Sequence, residues 1–506
     1  MPFLSTILRF YVIASLMCLS LVPPSSGIES RKVEKMIEES ESQMGTELLV
    51  EKRGKALYYK FCIPCHGAKG NGQGNASYYL FPKPRNLNLG IFKFHSTRTN
   101  TLPLNEDLYK TIQNGIPGTA MPPWIDVLSE EEIHLLAEFI KTFSRRFSME
   151  LPDYEMPVSL EPPFDKLSIA NGRIIYKQLR CGRCHGNEGD SEDRLSGSIQ
   201  EFGGNLSFVY DLRRPDQYKA GAAGPDIYRT LITGLDGSPM NAYEYMRDRE
   251  LWDLVHYLQS LFFIQPSKPT LTDRKIYSQT IKEKIDLKPD SPIWNGVVSF
   301  EISLSPVRAR KNPITRLTVQ SVHNDKEIAF RLEWEDPIPN GAINGTYLDQ
   351  SAVQFALNQD NISDGPFFGM GERNKPVNIW HWRADVRQKI YNDDNLKPNR
   401  SHSILHPPSG LLLNPFMESS VEEINSEGFG TLSLQPVEDQ QLKGMGQWKN
   451  GRWSVVFSRD IKTPSRWDIK FSSEKPVLLA FALWDGDNKD KNANKMVSFW
   501  NILTLK

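Results

Sequence analysis

The chain has 506 residues, too many for one ordinary core, so about two to four domains are expected. Its formal net charge of −1 and hydrophobic share of 39% are those of an ordinary soluble protein. They exclude a nucleic-acid or other polyanion binder whose affinity rests on bulk basic charge.

At the N-terminus Arg9 precedes the apolar run FYVIASLMCLSLV, Phe10 to Val22, and PPSSG follows it. A positive flank, an apolar stretch of 13 residues and small residues near Gly27 read as a secretory signal over 1–27. The chain is therefore expected to be exported and periplasmic. The run is short for a membrane span; left uncleaved, it would act as a membrane anchor. Cys18 lies within it, and Met17 is not the small residue a lipoprotein site wants, so Cys18 reads as an apolar filler.

With the signal removed, four cysteines remain: Cys62, Cys65, Cys181 and Cys184. All four belong to CxxCH motifs, FCIPCHG (Phe61 to Gly67) and RCGRCHG (Arg180 to Gly186). In a c-type site the two thiols form thioethers with haem vinyl groups and the next histidine becomes the proximal iron ligand. That makes His66 and His185 the candidate iron ligands. Two disulfides would leave the histidines unexplained. A zinc ribbon would want its CxxC pairs closer than the 119 residues separating Cys62 from Cys181.

The opposite axial ligand is sought downstream. GIPGTAMPPW carries Met121 and GLDGSPMNAY carries Met240, and each methionine follows its motif histidine by 55 residues. Thioether sulfur is a soft iron ligand, and His/Met ligation raises the haem potential. Met246 is the fallback in the second half. Helical patterns precede both motifs, GKALYYKF and ANGRIIYKQLR, and an amphipathic helix ends each half, LSEEEIHLLAEFIKTF and RDRELWDLVHYLQSLF. The two halves are an internal duplication of about a hundred residues. His134 and His256, on the closing helices, read as packing or surface residues.

On these motifs the chain resembles class I cytochrome c domains twice, over 45–146 and 165–263. The resemblance implies all-α domains whose first and last helices cross beside an apolar haem crevice. PKPRNLN resembles the family's loop near a haem propionate, which makes Arg85 a candidate propionate partner.

Pro/Glu-rich residues 147–164 read as one linker and 264–289 as another. From residue 290 to 506 the composition shifts, and nine of the eleven tryptophans lie there. VVSFEISL, RLTVQSV, IAFRLEW, SAVQFAL, WSVVFS and VLLAFALW read as strands, and Asn450-Gly451 as a hairpin turn. An all-β sandwich is expected.

FFGMGERNKPVNIWHWRAD, with YLDQSAVQF before it and FALWDGDNKDKNANKMVSFW after it, resembles the haem-binding subunit of ethylbenzene dehydrogenase. Its relatives are the gamma subunits of dimethylsulfide dehydrogenase, of selenate and chlorate reductases and of nitrite oxidoreductase. The resemblance implies a noncovalent b-type haem between the sheets, held by methionine and lysine, which match Met370 and Lys495 here. Lys489, Lys491 and Met496 lie close enough to leave the register open, and His381 is the competing ligand. A buried lysine can ligate as the neutral amine, because burial lowers its pKa.

The expected protein is multidomain: two all-α cytochrome c domains, then an all-β haem-binding sandwich, with two c haems and one b haem. It would carry electrons between the iron–sulfur and molybdopterin subunits of a periplasmic oxidoreductase and a respiratory-chain cytochrome or oxidase. The extra c haems suit a nitrite-oxidoreductase-type partner. The chain itself is expected to catalyse no substrate chemistry. The alternatives are a dihaem peroxidase, and a dihaem cytochrome tethered by a haem-free binding sandwich.

Overall fold

The computed structural model of the full chain describes residues 50–125, 127–192, 199–263, 274–341, 347–357, 365–384 and 420–506. The signal expected at 1–27 lies outside them. Among the described residues, no helix is long and apolar enough to cross a membrane.

The first domain is built from α1 (residues 50–61), α2 (Asn105–Asn114) and α3 (Glu130–Lys141). Helix α3 starts at a capping box in which Ser129 Oγ accepts from Glu132 N and the Glu132 carboxylate accepts from Ser129 N. Its apolar face, Ile133, Leu136, Ala137 and Ile140, joins a core with Tyr58, Leu108 and Trp124. Helices α1 and α3 meet at Gly54, where a Cβ would lie 2.4 Å from the Leu135 carbonyl oxygen. A glycine there lets the two backbones touch.

The second domain repeats this plan with α4 (Lys166–Gln178), α5 (Gly224–Thr233) and α6 (Asp248–Ser260). Here Gly172 stands at the crossing of α4 with α6, and a Cβ would lie 1.9 Å from the Asp253 carbonyl oxygen. The crossing of first and last helices thus depends in both halves on a missing side chain. Residues 147–164 are not a free tether. Met156 N donates to Ser96 O in the first domain, and Ser159 Oγ accepts from Trp252 Nε1 in the second.

The C-terminal domain contains two sheets. The first runs β10 (Lys443–Trp448), β11 (Arg452–Asp460), β5 (Glu327–Glu335), β4 (Arg316–His323), with β2 (Phe300–Ser303) also on β4. The second runs β14 (Asn501–Leu505), β12 (Val477–Trp484), β6 (Gln350–Ala356), β7 (Val377–Arg383), β8 (Val421–Ser426), β9 (Ser433–Leu434). The two-residue strands β3 (Ser305–Pro306) and β13 (Met496–Val497) pair beside β12. Strand β1 (Lys275–Thr280) joins the sheets, pairing in parallel with β14 and then with β4.

That strand corrects the linker expected over 264–289. Its burial alternates only briefly, with Ile276 buried and Lys275 exposed, and its partners lie more than 40 and more than 200 residues away. The β10–β11 turn is the expected one: Asn450 and Gly451 have φ of 54° and 75°, and Trp448 pairs with Trp453.

Alternate residues of β6, β7 and β12 face two different apolar layers. Val353, Phe355, Trp380, Trp382, Leu479 and Phe481 fill the space between the sheets, together with Phe330, Leu332 and Trp453. Ala352, Ala356, Ile379, Ala480 and Trp484 form the outer face of the second sheet.

Candidate haem-binding sites

The first site is a cavity lined by Cys62, Cys65, His66 and Met121. Cys62 caps the one-turn helix Ile63–His66, which carries Cys65 within it and follows directly on α1. His66 Nδ1 lies 3.2 Å from the Arg85 carbonyl, so its N–H donates there and Nε2 is left free. Burial lowers the pKa of His66, keeping the imidazole in the neutral form that a metal needs. Across the cavity, the loop carrying Met121 is closed by Ile116 N donating to Met121 O (3.0 Å) and Met121 N to Thr119 Oγ (3.2 Å).

The second site copies these details. Cys181 caps the one-turn helix Gly182–His185, which carries Cys184 within it, and burial takes His185 down to about 4. Leu235 N donates to Met240 O (3.1 Å), and Met240 N to Ser238 Oγ (3.3 Å). Tyr58 and Tyr176 each donate a hydroxyl to the glycine after the motif, to Gly67 O (2.8 Å) and Gly186 O (2.7 Å). Cys181, Met240 and Met246 pack on the same core. His185 Nδ1 is buried without a hydrogen-bond partner, so the imidazole is held there by packing.

Cys62 packs against the first domain's core and Cys181 against the second's. Among the described residues, three aspartates in the C-terminal domain are the one group spaced to hold a metal ion. His134 stacks on Tyr109 at 4.2 Å, and His256 Nδ1 is bound to Ser168 Oγ at 2.6 Å. His134 is exposed and His256 is fully buried.

Arg85 lines the first cavity, as the sequence suggested, with company that it did not reveal. Lys93 and, from the second domain, Lys219 and Glu201 line it too. Glu201 accepts from Lys93 and lies 3.6 Å from Arg85. Lys83, which also lines the cavity, donates to the Ser77 and Tyr78 carbonyls, so Arg85, Lys93 and Lys219 are left with one carboxylate, an excess that suits the two propionates of a haem. Burial pulls Lys219 down to about 7, as expected of a cation short of counter-charge. Nothing in the sequence joins Lys219 to Arg85; only the packing of the second domain on the first does.

In the C-terminal domain, Lys495 is the desolvated lysine. Burial pulls it down to about 8, and its Nζ lies 4.7 Å from the Trp484 ring centroid. Lys489 and Lys491 are exposed, and Met496 is buried between the sheets. His381 is engaged at both ring nitrogens, by Glu422 at 2.7 Å and Gln350 at 2.8 Å.

Trp484 belongs to the outer face of the second sheet, and so does the Lys495 site. The space between the sheets, where the resemblance puts a haem, is occupied by Phe355, Trp380, Trp382 and Trp453. The outer face includes the small residues Ala352, Ala356 and Ala480 beside Ile379, Trp484 and Trp500. Met370 stands on the turn after Phe367 with φ of 75°, in the left-handed region that disfavours a side chain. Phe368, two residues before it, meets Phe499, four residues after Lys495, at 4.8 Å.

The sites are contiguous. Tyr210 of the second domain donates to Gly118 O in the Met121 loop (2.9 Å), and a Cβ on Gly237, in the Met240 loop, would lie 3.3 Å from Arg85 Nη1. Trp124 of the first domain contacts both Phe61 (5.4 Å) and Phe499 (5.3 Å). Phe367 and Phe368 also line the cavity of Cys62. Val307 N donates to Lys495 O (3.0 Å), and Val307 O accepts from Phe81 N (3.2 Å).

Residues 50–140 match the family of cytochrome c oxidase, cbb3-type, subunit III. Residues 169–262 match the cytochrome c family. Residues 291–403 and 431–495 match the ethylbenzene dehydrogenase family. The ORF7 protein of Haloferax mediterranei, named as a respiratory nitrate reductase heme subunit, is 26% identical over 220 residues, covering 42% of this chain and 66% of that one. The chlorate reductase subunit gamma of Ideonella dechloratans is 27% identical over 224 residues, covering 42% of this chain and 78% of that one. A chain of the reducing HAO-like protein complex of Kuenenia stuttgartiensis is 36% identical, with a TM-score of 0.41, over 42% of this chain and 96% of that one.

Proposed function

We infer that this chain, a cytochrome-fused gamma subunit of the ethylbenzene dehydrogenase type, is an exported trihaem electron carrier. It serves a periplasmic molybdenum oxidoreductase. The observation that carries this reading is the cavity of Cys62, whose wall includes residues of all three domains. A cofactor held there touches both neighbouring sites' protein shells.

Haem supplies one-electron chemistry at each site. Cys62 with Cys65, and Cys181 with Cys184, hold a porphyrin covalently. His66 and His185 offer neutral imidazoles from one side. Met121 and Met240 close the other side and raise the potential. Arg85, Lys93 and Lys219 neutralise propionates and keep the first porphyrin in one orientation. Lys495 offers a desolvated amine on the outer sheet face and Met370 a thioether, and the strained backbone at Met370 fits a residue held for its side chain.

With Met121, Met240 and Met370 as ligands the irons would be closed to substrate, and the subunit would relay electrons and leave substrate chemistry to its partner. The relatives named for nitrate and chlorate reductases support a partner of that class. Export follows from the signal read at residues 1–27. Pyridine haemochrome analysis before and after acid–acetone extraction tests the reading. Three haems per chain are expected, two of them resisting extraction. Two covalent haems and none extractable would leave the C-terminal domain a binding module.

A further inference from the structure

At one end of the sandwich three strand ends converge. Asp336 follows β5 of the first sheet, Asp349 precedes β6 of the second, and Asp485 follows β12. All three are buried, with exposures of 3%, 0% and 8%. Each offers an oxygen, and these oxygens lie within 4.8 Å of one another.

No ion pair with a basic side chain is found for any of the three among the described residues. Backbone and indole N–H groups satisfy part of the cluster: Gly486 N donates to Asp349 Oδ1 (2.9 Å), Trp453 Nε1 to Asp349 Oδ2 (3.0 Å), and Ile338 N to Asp336 Oδ1 (3.1 Å). Asp336 Oδ2 is buried with no hydrogen-bond partner. So is Asn340 Oδ1, on a side chain packed over Gly486 and thus beside Asp485. An unpartnered buried carboxylate oxygen costs the full desolvation penalty of the group. Burial, then repulsion from Asp349 and Asp485, pushes the Asp336 carboxyl up to about 8.

We propose that Asp336, Asp349 and Asp485, with the Asn340 amide oxygen, bind a structural calcium ion that clamps the two sheets together. The donor set is oxygen alone, which selects a hard cation over zinc or copper. Calcium–oxygen bonds of about 2.4 Å allow ligand oxygens up to about 4.8 Å apart, so three oxygens lying within 4.8 Å of one another can share one ion. Magnesium wants a tighter octahedron at about 2.1 Å and keeps its waters, so it fits these strand ends less well. The ion orders the loop from Asp485 towards Asn494, which Arg310 already fastens through Asp490 and Asn494. It couples β5 to β6 and β12 across the core.

The test uses the full-length, haem-loaded protein, stripped with a calcium chelator and then reloaded. Elemental analysis after gel filtration should find about one calcium per chain, and reloading should raise Tm by several degrees where equimolar magnesium does not. In Asp336→Asn the retained calcium and the calcium-dependent rise in Tm should both be lost. In chelator, that variant should be at least as stable as the wild type, because the repulsion has been relieved. Asp485→Asn should behave the same way and stands in if Asp336→Asn fails to fold. Wild-type protein that retains no calcium and shows no shift overturns the proposal. So does a calcium-dependent shift that survives in both variants.

Discussion

At the scale of single residues, the first cavity is organised by charge as much as by ligation. Lys219 reaches it from another domain, and burial has already pulled its ammonium down to about 7. A buried positive charge near a haem favours the reduced state. Lys219→Met is therefore expected to lower the first c haem's potential by on the order of 1 kcal/mol, roughly 40 mV, in a redox titration, with the second c haem unmoved. Met121→Ala is expected to open the sixth position, giving a high-spin spectrum at one c haem and a lower potential there. Lys495→Ala should abolish the extractable haem and leave both covalent ones, read by haemochrome count. The candidate cysteines and histidines, with Met121 and Met240, could be named from motif spacing alone. Lys93, Glu201 and Lys219 carry no such signal, because their common place arises only when two domains pack.

At the scale of elements, the duplicated domains rest on close helix crossings. A methyl group at Gly172 would stand 1.9 Å from the Asp253 carbonyl oxygen, so Gly172→Ala must push α4 off α6. A loss of about 1–3 kcal/mol or more is expected, measured by chemical denaturation of the haem-loaded protein. The helices themselves were legible: Ser129 and the three glutamates after it announce α3, whose Ile133, Leu136, Ala137 and Ile140 point one way. The hairpin at Asn450-Gly451 was legible for the same local reason. Strand β1 was not, because KIYSQT has no long apolar alternation and its parallel partners are far away in sequence. Nor was the side of the second sheet on which Lys495 lies. Both faces of β12 are apolar, so the period of two that usually separates core from solvent separates one apolar layer from another.

At the scale of the whole molecule, three domains share one set of contacts. Tyr210 holds the second domain to the Met121 loop, and Phe499 holds the C-terminal domain to Trp124. Tyr210→Phe removes one hydrogen bond and should cost about 1 kcal/mol in denaturation. Phe499→Ala removes a ring from two domains at once and should split a single calorimetric transition into separable ones. The three candidate sites are contiguous, which would suit a relay, and the proposed methionine ligands would close each iron. The most direct measurement is the electron paramagnetic resonance spectrum of the fully oxidised, haem-loaded chain, integrated per polypeptide. Three low-spin ferric haems are predicted; a high-spin signal from either c haem, accompanied by rapid peroxide turnover, would contradict the account.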